Sequence, residues 1–148
     1  MTETALISPF TTVMNLLRAA ALIQDRFRIS HGVSLNEAIL LMYLERAPQQ
    51  RLTRVDLAKR MHLSPSTVTR MAAPMEKIGL VSRQSDARDA RRAYVVLSEA
   101  GRATIGEVRE TLTQSSADLL SDRWTDSEID TLGRLLGRLT AAEPGLLV

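Results

Sequence analysis

Residues 54–98, RVDLAKRMHLSPSTVTRMAAPMEKIGLVSRQSDARDARRAYVVLS, decide the fold of this chain. The stretch begins with a short helical pattern at 54–61. The turn HLS (62–64) follows, and its last residue, Ser64, opens a second helical pattern. Ser64 suits an N-cap and Pro65 the first helical position, whereas Gly79 suits a left-handed residue just beyond the helix end. Two helices joined by three or four residues predict a helix-turn-helix.

The pattern then changes from helical to extended. The segments LVSRQ at 80–84 and AYVVLS at 93–98 predict two strands, and the charged run 85–92 is their turn. A hairpin directly after the second helix predicts a winged helix-turn-helix, in which the strands supply rigidity and the turn projects outward.

The second helix divides polar from apolar positions, as a helix that enters the major groove must. Its apolar positions at core-facing spacing are Val68, Met71, Met75 and Ile78. Arginines of the turn can enter the minor groove or pair with phosphates, and Asp86 and Asp89 can hold some guanidiniums by bidentate pairing. The predicted DNA-contacting residues are Arg54, Ser64, Ser66, Thr67, Thr69, Arg70, Arg83, Arg88, Asp89, Arg91 and Arg92.

Further helices surround this segment. Apolar spacing predicts helices at 10–29 and 99–120, and the capping boxes SLNE (34–37) and TDSE (125–128) each predict a helix start. The predicted fold is mainly α with a small β-hairpin wing, in the order α-α-α-α-β-β-α-α.

Charge is unevenly distributed along the chain. Residues 51–102 carry eleven basic and five acidic residues, a net charge of +6, whereas the rest carries −4. A basic middle with acidic flanks favours a polyanion as partner.

Composition excludes several function classes. Cysteine is absent, which excludes disulfides and thiolate catalysis. The two histidines, His31 and His62, lie in no metal-ligand or catalytic motif, so we expect no enzyme, no cofactor and no metal. The sequence shows neither a signal peptide nor an apolar run that could span a membrane, so we expect a cytoplasmic protein without membrane association.

Residues 55–102 closely resemble the MarR family of bacterial winged helix-turn-helix regulators. The matching motifs are Leu57-Ala58, Ser64 to Val68, Met75 to Val81, Asp86 to Arg91 and Val95 to Gly101. Pro74 departs from the family pattern, which has a helix former there, and we expect it to kink or weaken the last turn of its helix.

The resemblance implies an obligate homodimer. Residues 1–33 and 99–148 would form the helical dimerisation region, and residues 34–98 the winged helix-turn-helix DNA-binding domain. The implied partner is double-stranded DNA with a pseudo-palindromic operator. The implied activity is repression, relieved by a small aromatic or phenolic effector.

The effector cavity that the resemblance implies lies between the dimerisation helices and the DNA-binding domain. Its predicted wall residues are Leu17, Phe27, His31, Met42, Tyr43 and Arg46. Two alternatives stay open: a DNA-binding regulator without a small-molecule effector, and a winged-helix protein-interaction module that does not contact DNA.

Overall fold

A computed structural model describes residues 7–27, 29–89 and 92–140. Its helices are α1 (Pro9–Arg26), α2 (Leu35–Arg46), α3 (Arg54–Met61), α4 (Pro65–Lys77), α5 (Glu99–Leu120) and α6 (Asp126–Leu139), with a 3-10 turn at Pro48–Gln50. Its strands are β1 (Ile29–Ser30), β2 (Val33–Ser34), β3 (Arg51–Thr53), β4 (Val81–Ser85) and β5 (Ala93–Leu97). Within these ranges, none of the helices has both the length and the apolar character needed to cross a membrane.

The predicted helix starts are confirmed by their caps. Ser34 Oγ accepts the N–H of Glu37 at 3.3 Å, and the Glu37 carboxylate accepts the N–H of Ser34 at 2.7 Å. Thr125 and Glu128 form the same reciprocal pair at the start of α6. These bonds satisfy N–H groups that the helix leaves without partners, which is why the boundaries could be predicted from local sequence.

The wing belongs to a three-stranded antiparallel sheet in the order β3-β5-β4. Strands β4 and β5 form the predicted hairpin, with Val81 opposite Leu97 and Ser85 opposite Ala93. Strand β3, which was not predicted from the sequence, pairs Thr53 with Tyr94 of β5. The wing is therefore tied by backbone hydrogen bonds to the segment that leads into α3.

The core lies between α2, the helix-turn-helix, the sheet and the first half of α5. Leu40, Leu44 and Leu57 are completely buried, as is Ile105 of α5. Val108, one turn further along α5, is only 1% exposed. The packing therefore continues past residue 98, where the predicted DNA-binding domain ends.

Two expectations are corrected, one about the burial of Ile78 and one about the end of the first helix. Ile78 was expected to face the core but is 62% exposed, because α4 ends at Lys77 and the left-handed Gly79 (φ 80°) redirects the chain. Leu80 takes the buried position instead, at 7% exposure. The first helix ends at Arg26 rather than at residue 29, where β1 begins.

Candidate nucleic-acid interface

Helix α4 buries its apolar face and exposes a polar one. Val68, Ala72 and Met75 are 0%, 8% and 1% exposed, respectively. Ser66 and Arg70 lie on the exposed side. This confirms the predicted division, and it is the arrangement that lets one face of a helix enter a groove while the other stays anchored.

Hydroxyl groups surround the N-terminus of α4. Ser64 Oγ accepts the N–H of Thr67 at 3.1 Å and lies 2.9 Å from Ser66 Oγ. Arg70 Nη2 donates to Thr67 Oγ1 at 3.5 Å. Ser64 therefore caps the helix, and Ser66, Thr67 and Arg70 form a group at its start that we call the α4 polar cluster.

Arg54 and Thr69, both predicted to contact DNA, join the two helices of the helix-turn-helix. Arg54 Nη1 donates to Thr69 Oγ1 at 3.2 Å, and Thr69 Oγ1 donates to the carbonyl of Pro65 at 3.0 Å. Both residues are half-buried. Their contacts fix α3 against α4, so the angle at which the polar cluster is presented depends on them.

Pro74 does not interrupt α4, which continues past it to Lys77. The N–H of Ile78 bonds to the Pro74 carbonyl at 3.2 Å, so the last turn forms. Pro74 still lacks the N–H that would bond to the carbonyl of Arg70. The expected kink does not end the helix, whereas weakening of its last turn stays a prediction.

Asp86 shapes the wing turn. Its Oδ1 accepts the N–H of Arg88 at 2.8 Å, and its Oδ2 accepts the hydroxyl of Tyr94 at 3.2 Å. The backbone closes around it, since the Asp86 N–H bonds to the Arg92 carbonyl and the Arg92 N–H bonds to the Asp89 carbonyl, both at 2.9 Å. The hydrogen bond from the Arg88 N–H is the main cause that lowers the pKa of the Asp86 carboxyl below its ordinary value.

The expected bidentate pairing of Asp86 with a turn arginine is not seen among the described residues. The carboxylate binds a backbone N–H and a phenol hydroxyl instead, because the tight turn brings those donors closest. Asp86 therefore orders the turn and leaves the Arg88 side chain exposed.

Tyr94 and Arg51 support the wing from the sheet, and neither role was predicted from the sequence. The Arg51 guanidinium lies 4.5 Å from the centre of the Tyr94 ring, and Arg51 Nη1 donates to Gln84 Oε1 at 3.1 Å. A chain of contacts thus runs from β3 through Tyr94 to Asp86. Only the pairing of β3 with β5 brings it together, so no local signal could reveal it.

The predicted charged residues of the interface differ in their contacts and in their exposure. Arg83 lies 3.7 Å from a carboxylate oxygen of Glu76, with both side chains at least 40% exposed. Arg88, Asp89 and Arg92 are exposed on the wing. Arg91 lies outside the described residues.

The predicted effector-wall residues lie at different depths. Met42 and Tyr43 are 5% and 8% exposed, and the Tyr43 hydroxyl donates to the Arg60 carbonyl at 3.0 Å. Phe27 is half-buried, and Arg46 is exposed on α2. Leu17, on α1, is 59% exposed. The chain therefore brings Met42 and Tyr43 together in its core and leaves the others nearer the surface.

His31 contacts α5 through both ring nitrogens. Its Nε2 lies 2.8 Å from Thr111 Oγ1, and its Nδ1 lies 3.4 Å from a Glu107 carboxylate oxygen. The segment between α1 and α2 is thereby joined to α5. In the part of the chain that the structure describes, no three His, Asp or Glu side chains gather to hold a metal ion.

Comparison with known proteins agrees with this geometry. Residues 33–93 match the model of the MarR family. The HTH-type transcriptional repressor YetL of Bacillus subtilis is 24% identical over 130 residues, which span 88% of this chain and 77% of YetL.

Solved structures share the fold. Sco3205, a MarR family transcriptional regulator from Streptomyces coelicolor solved in complex with DNA, has a TM-score of 0.78 at 21% identity, covering 98% of this chain and 95% of Sco3205. The transcriptional regulator PcaV of the same organism, solved with its natural ligand, has a TM-score of 0.70 at 19% identity, covering 90% of this chain and 92% of PcaV. The segment that matches the MarR family model carries α2, the helix-turn-helix and β4, and the solved structures that share the fold include MarR family transcriptional regulators.

Proposed function

We propose that the protein is a dimeric, sequence-specific regulator that binds double-stranded DNA and represses transcription in the cytoplasm. The observation that carries this proposal is the placement of the α4 polar cluster beside a cationic wing on one packed unit. The cluster supplies hydroxyl and guanidinium groups for base edges, and the wing supplies Arg88 and Arg92 for the backbone.

Charge and likeness support DNA as the partner. Residues 51–102, which carry a net charge of +6, contain the helix-turn-helix and the wing. The positive potential that attracts DNA therefore lies at the surface that would contact it. Sco3205, which shares the fold over almost its whole length, is solved in complex with DNA.

Apolar side chains on the outer helices support a homodimer. Neither α1 nor α6 has a buried residue in the single chain. Contiguous apolar surface of this kind marks an interface, and a two-fold partner would cover it with the same helices. The exposed apolar residues are Phe10, Val13, Met14, Leu17, Leu22 and Ile23 on α1, and Leu135, Leu136 and Leu139 on α6.

The proposals that the protein represses transcription, and that a small effector relieves this repression, are supported by the similar proteins. YetL is a repressor, and PcaV is solved with a natural ligand. We place the site of a small aromatic or phenolic effector between the dimerisation helices and the DNA-binding domain, near Leu17, Phe27, His31 and Arg46. A coupling of roughly 1–3 kcal/mol between effector and DNA would change DNA affinity about 5- to 150-fold.

Fluorescence anisotropy with the DNA just upstream of the protein's own gene tests the proposal. We expect tight, salt-sensitive binding that exceeds binding to an unrelated duplex. Absence of binding to any duplex at low salt would refute DNA as the partner and favour a protein-interaction module. With a complex in hand, saturating aromatic acids should release the DNA; no release by any of them would leave a regulator without such an effector.

Single variants test the roles of the wing and of the α4 polar cluster separately. R88A should weaken binding to all duplexes and reduce the salt dependence, whereas R123A, outside the wing, removes the same charge with little effect. S66A and R70A should change the preference among sequences, because base contacts specify. If R70A weakens every duplex equally, the α4 polar cluster does not read bases.

A further inference from the structure

A cleft of about 300 Å³ lies between the start of α3 and the foot of the wing. It is lined by Arg54, Asp56 and Lys59 with the cap residue Thr53, and by Arg92 and Ala93 from the wing side. Three cations and one acid thus share one concave surface. The acid is engaged, since the Asp56 carboxylate accepts the Thr53 hydroxyl at 2.6 Å.

The side chain of Lys59 makes no contact with another described residue that would explain its position in this cleft. It is exposed on α3, and among the described residues its ammonium has no hydrogen-bond or ion-pair partner. Arg92 approaches from a different element, with an exposed side chain. Arg54 lies behind them and keeps one guanidinium nitrogen on Thr69. Exposed donors from two elements that line one cleft favour a compact anion with several acceptor oxygens.

We propose that this α3–wing cleft seats one phosphate of the DNA backbone in each half-site, with Lys59 and Arg92 as its direct contacts. The inference rests on the proposed function and adds Lys59 to the interface. The first helix of a helix-turn-helix crosses the DNA backbone, while the second lies in the major groove. A backbone phosphate is therefore expected beside α3. The cleft also has room for bridging water.

Seating a phosphate between α3 and the wing would fix the position of α4. Phosphate contacts set the register of a protein on DNA but carry no base information. Because Lys59 and Arg92 approach from different elements, a shift of α4 along the groove would break at least one contact. The cleft is therefore a positioning device for the α4 polar cluster.

The chain offers a matched control. Lys59 and Lys77 are its two lysines, both are exposed, and each lies on a helix of the helix-turn-helix. K59A and K77A therefore remove the same charge from the same unit. We expect K59A to raise the Kd roughly three- to tenfold for operator and unrelated DNA alike, and to lower the salt slope by about 0.9 per half-site. K77A should change neither by a comparable amount, and K59R should restore binding.

A neutral methylphosphonate, placed at one backbone position at a time, identifies the phosphate. For the wild-type protein, a methylphosphonate at one position in each half-site should weaken binding. K59A should reduce that penalty, because Arg92 alone still contacts the phosphate, whereas K77A should leave it unchanged. Equal behaviour of K59A and K77A, or a penalty as large in K59A as in the wild-type protein, would overturn the inference. These outcomes differ from failure of the proposed function, in which the wild-type protein binds no DNA. Thermal unfolding of K59A, expected at the wild-type temperature, excludes misfolding as the cause.

Discussion

The first turn of α5 lies so close to Leu80, the residue before β4, that a single methyl group there should destabilise the protein. Gly101 is buried, and a Cβ added to it would lie 2.8 Å from Leu97 Cδ1 and still closer to the Leu80 carbonyl oxygen. That oxygen is held in place because it accepts both the N–H of Ser98, at 3.1 Å, and its hydroxyl, at 2.8 Å. The backbone atom cannot rotate away, so in G101A helix α5 must move.

The magnitude follows from three contributions. Overpacking a tight contact costs about 1–3 kcal/mol. Moving α5 also stretches the Ser98–Leu80 hydrogen bonds, and losing one costs about 1 kcal/mol. Alanine stabilises the helix by roughly 1 kcal/mol relative to glycine, because its helix propensity is higher. We therefore expect G101A to lower the free energy of unfolding by about 1–3 kcal/mol, or to lower the Tm by about 3–10 °C.

Urea unfolding followed by circular dichroism, at constant protomer concentration, measures this change. Gly106 is the control, since it lies in the same helix and an added Cβ would meet nothing within 4 Å. G106A should gain up to about 1 kcal/mol. If G101A is as stable as G106A, the close approach of α5 to Leu80 does not exist in solution.

Three further predictions follow from backbone and charge. P74A should restore a bond to the Arg70 carbonyl and raise the free energy of unfolding by about 1–3 kcal/mol, measured in urea; a loss would mean that Pro74 fits the helix better than alanine. H62G should stabilise the protein by about 0.5–1 kcal/mol, because His62 ends α3 with φ 53°, and H62A, as control, should not. The lowered pKa of Asp86 means that its contribution to the wing is present above the ordinary value of 3.8 and is lost as pH falls through the lower folded-state pKa. The Arg88 amide resonance should report this transition in acid, and D86N should abolish it.

Local rules predicted the helices well. The caps Ser34, Ser64 and Thr125 each occupy the predicted position, because a cap depends only on the next three residues. The same holds for Gly79, whose left-handed φ ends α4 as expected. The β1–β2 turn was missed, although His31-Gly32, with φ 53° and 79°, is a two-residue hairpin signal that could have revealed it.

Contacts between distant segments could not be predicted in this way. Strand β3 has only three residues, too few for a periodicity, and its partner β5 lies about forty residues further on. Arg54 was expected to contact DNA, but its bond to Thr69 appears only once α3 and α4 are packed. Tyr94 likewise reaches Asp86 only after the hairpin forms. The sequence identifies the residue types of the site, whereas pairing and packing assign their partners.

The pairing of Thr53 with Tyr94 also has a consequence for folding. It closes residues 54–93 into one loop, and that loop contains both helices of the helix-turn-helix and the turn of the wing. The pairing of Thr53 with Tyr94 accounts for the entropic cost of closing this loop. Contacts that form inside the closed loop then cost less entropy, because their partners are already held close together. The two helices and the hairpin should therefore exchange their amide hydrogens as one cooperative unit. A chain that ended before β5 would keep the helix-turn-helix sequence but lose the strand that closes the loop around it.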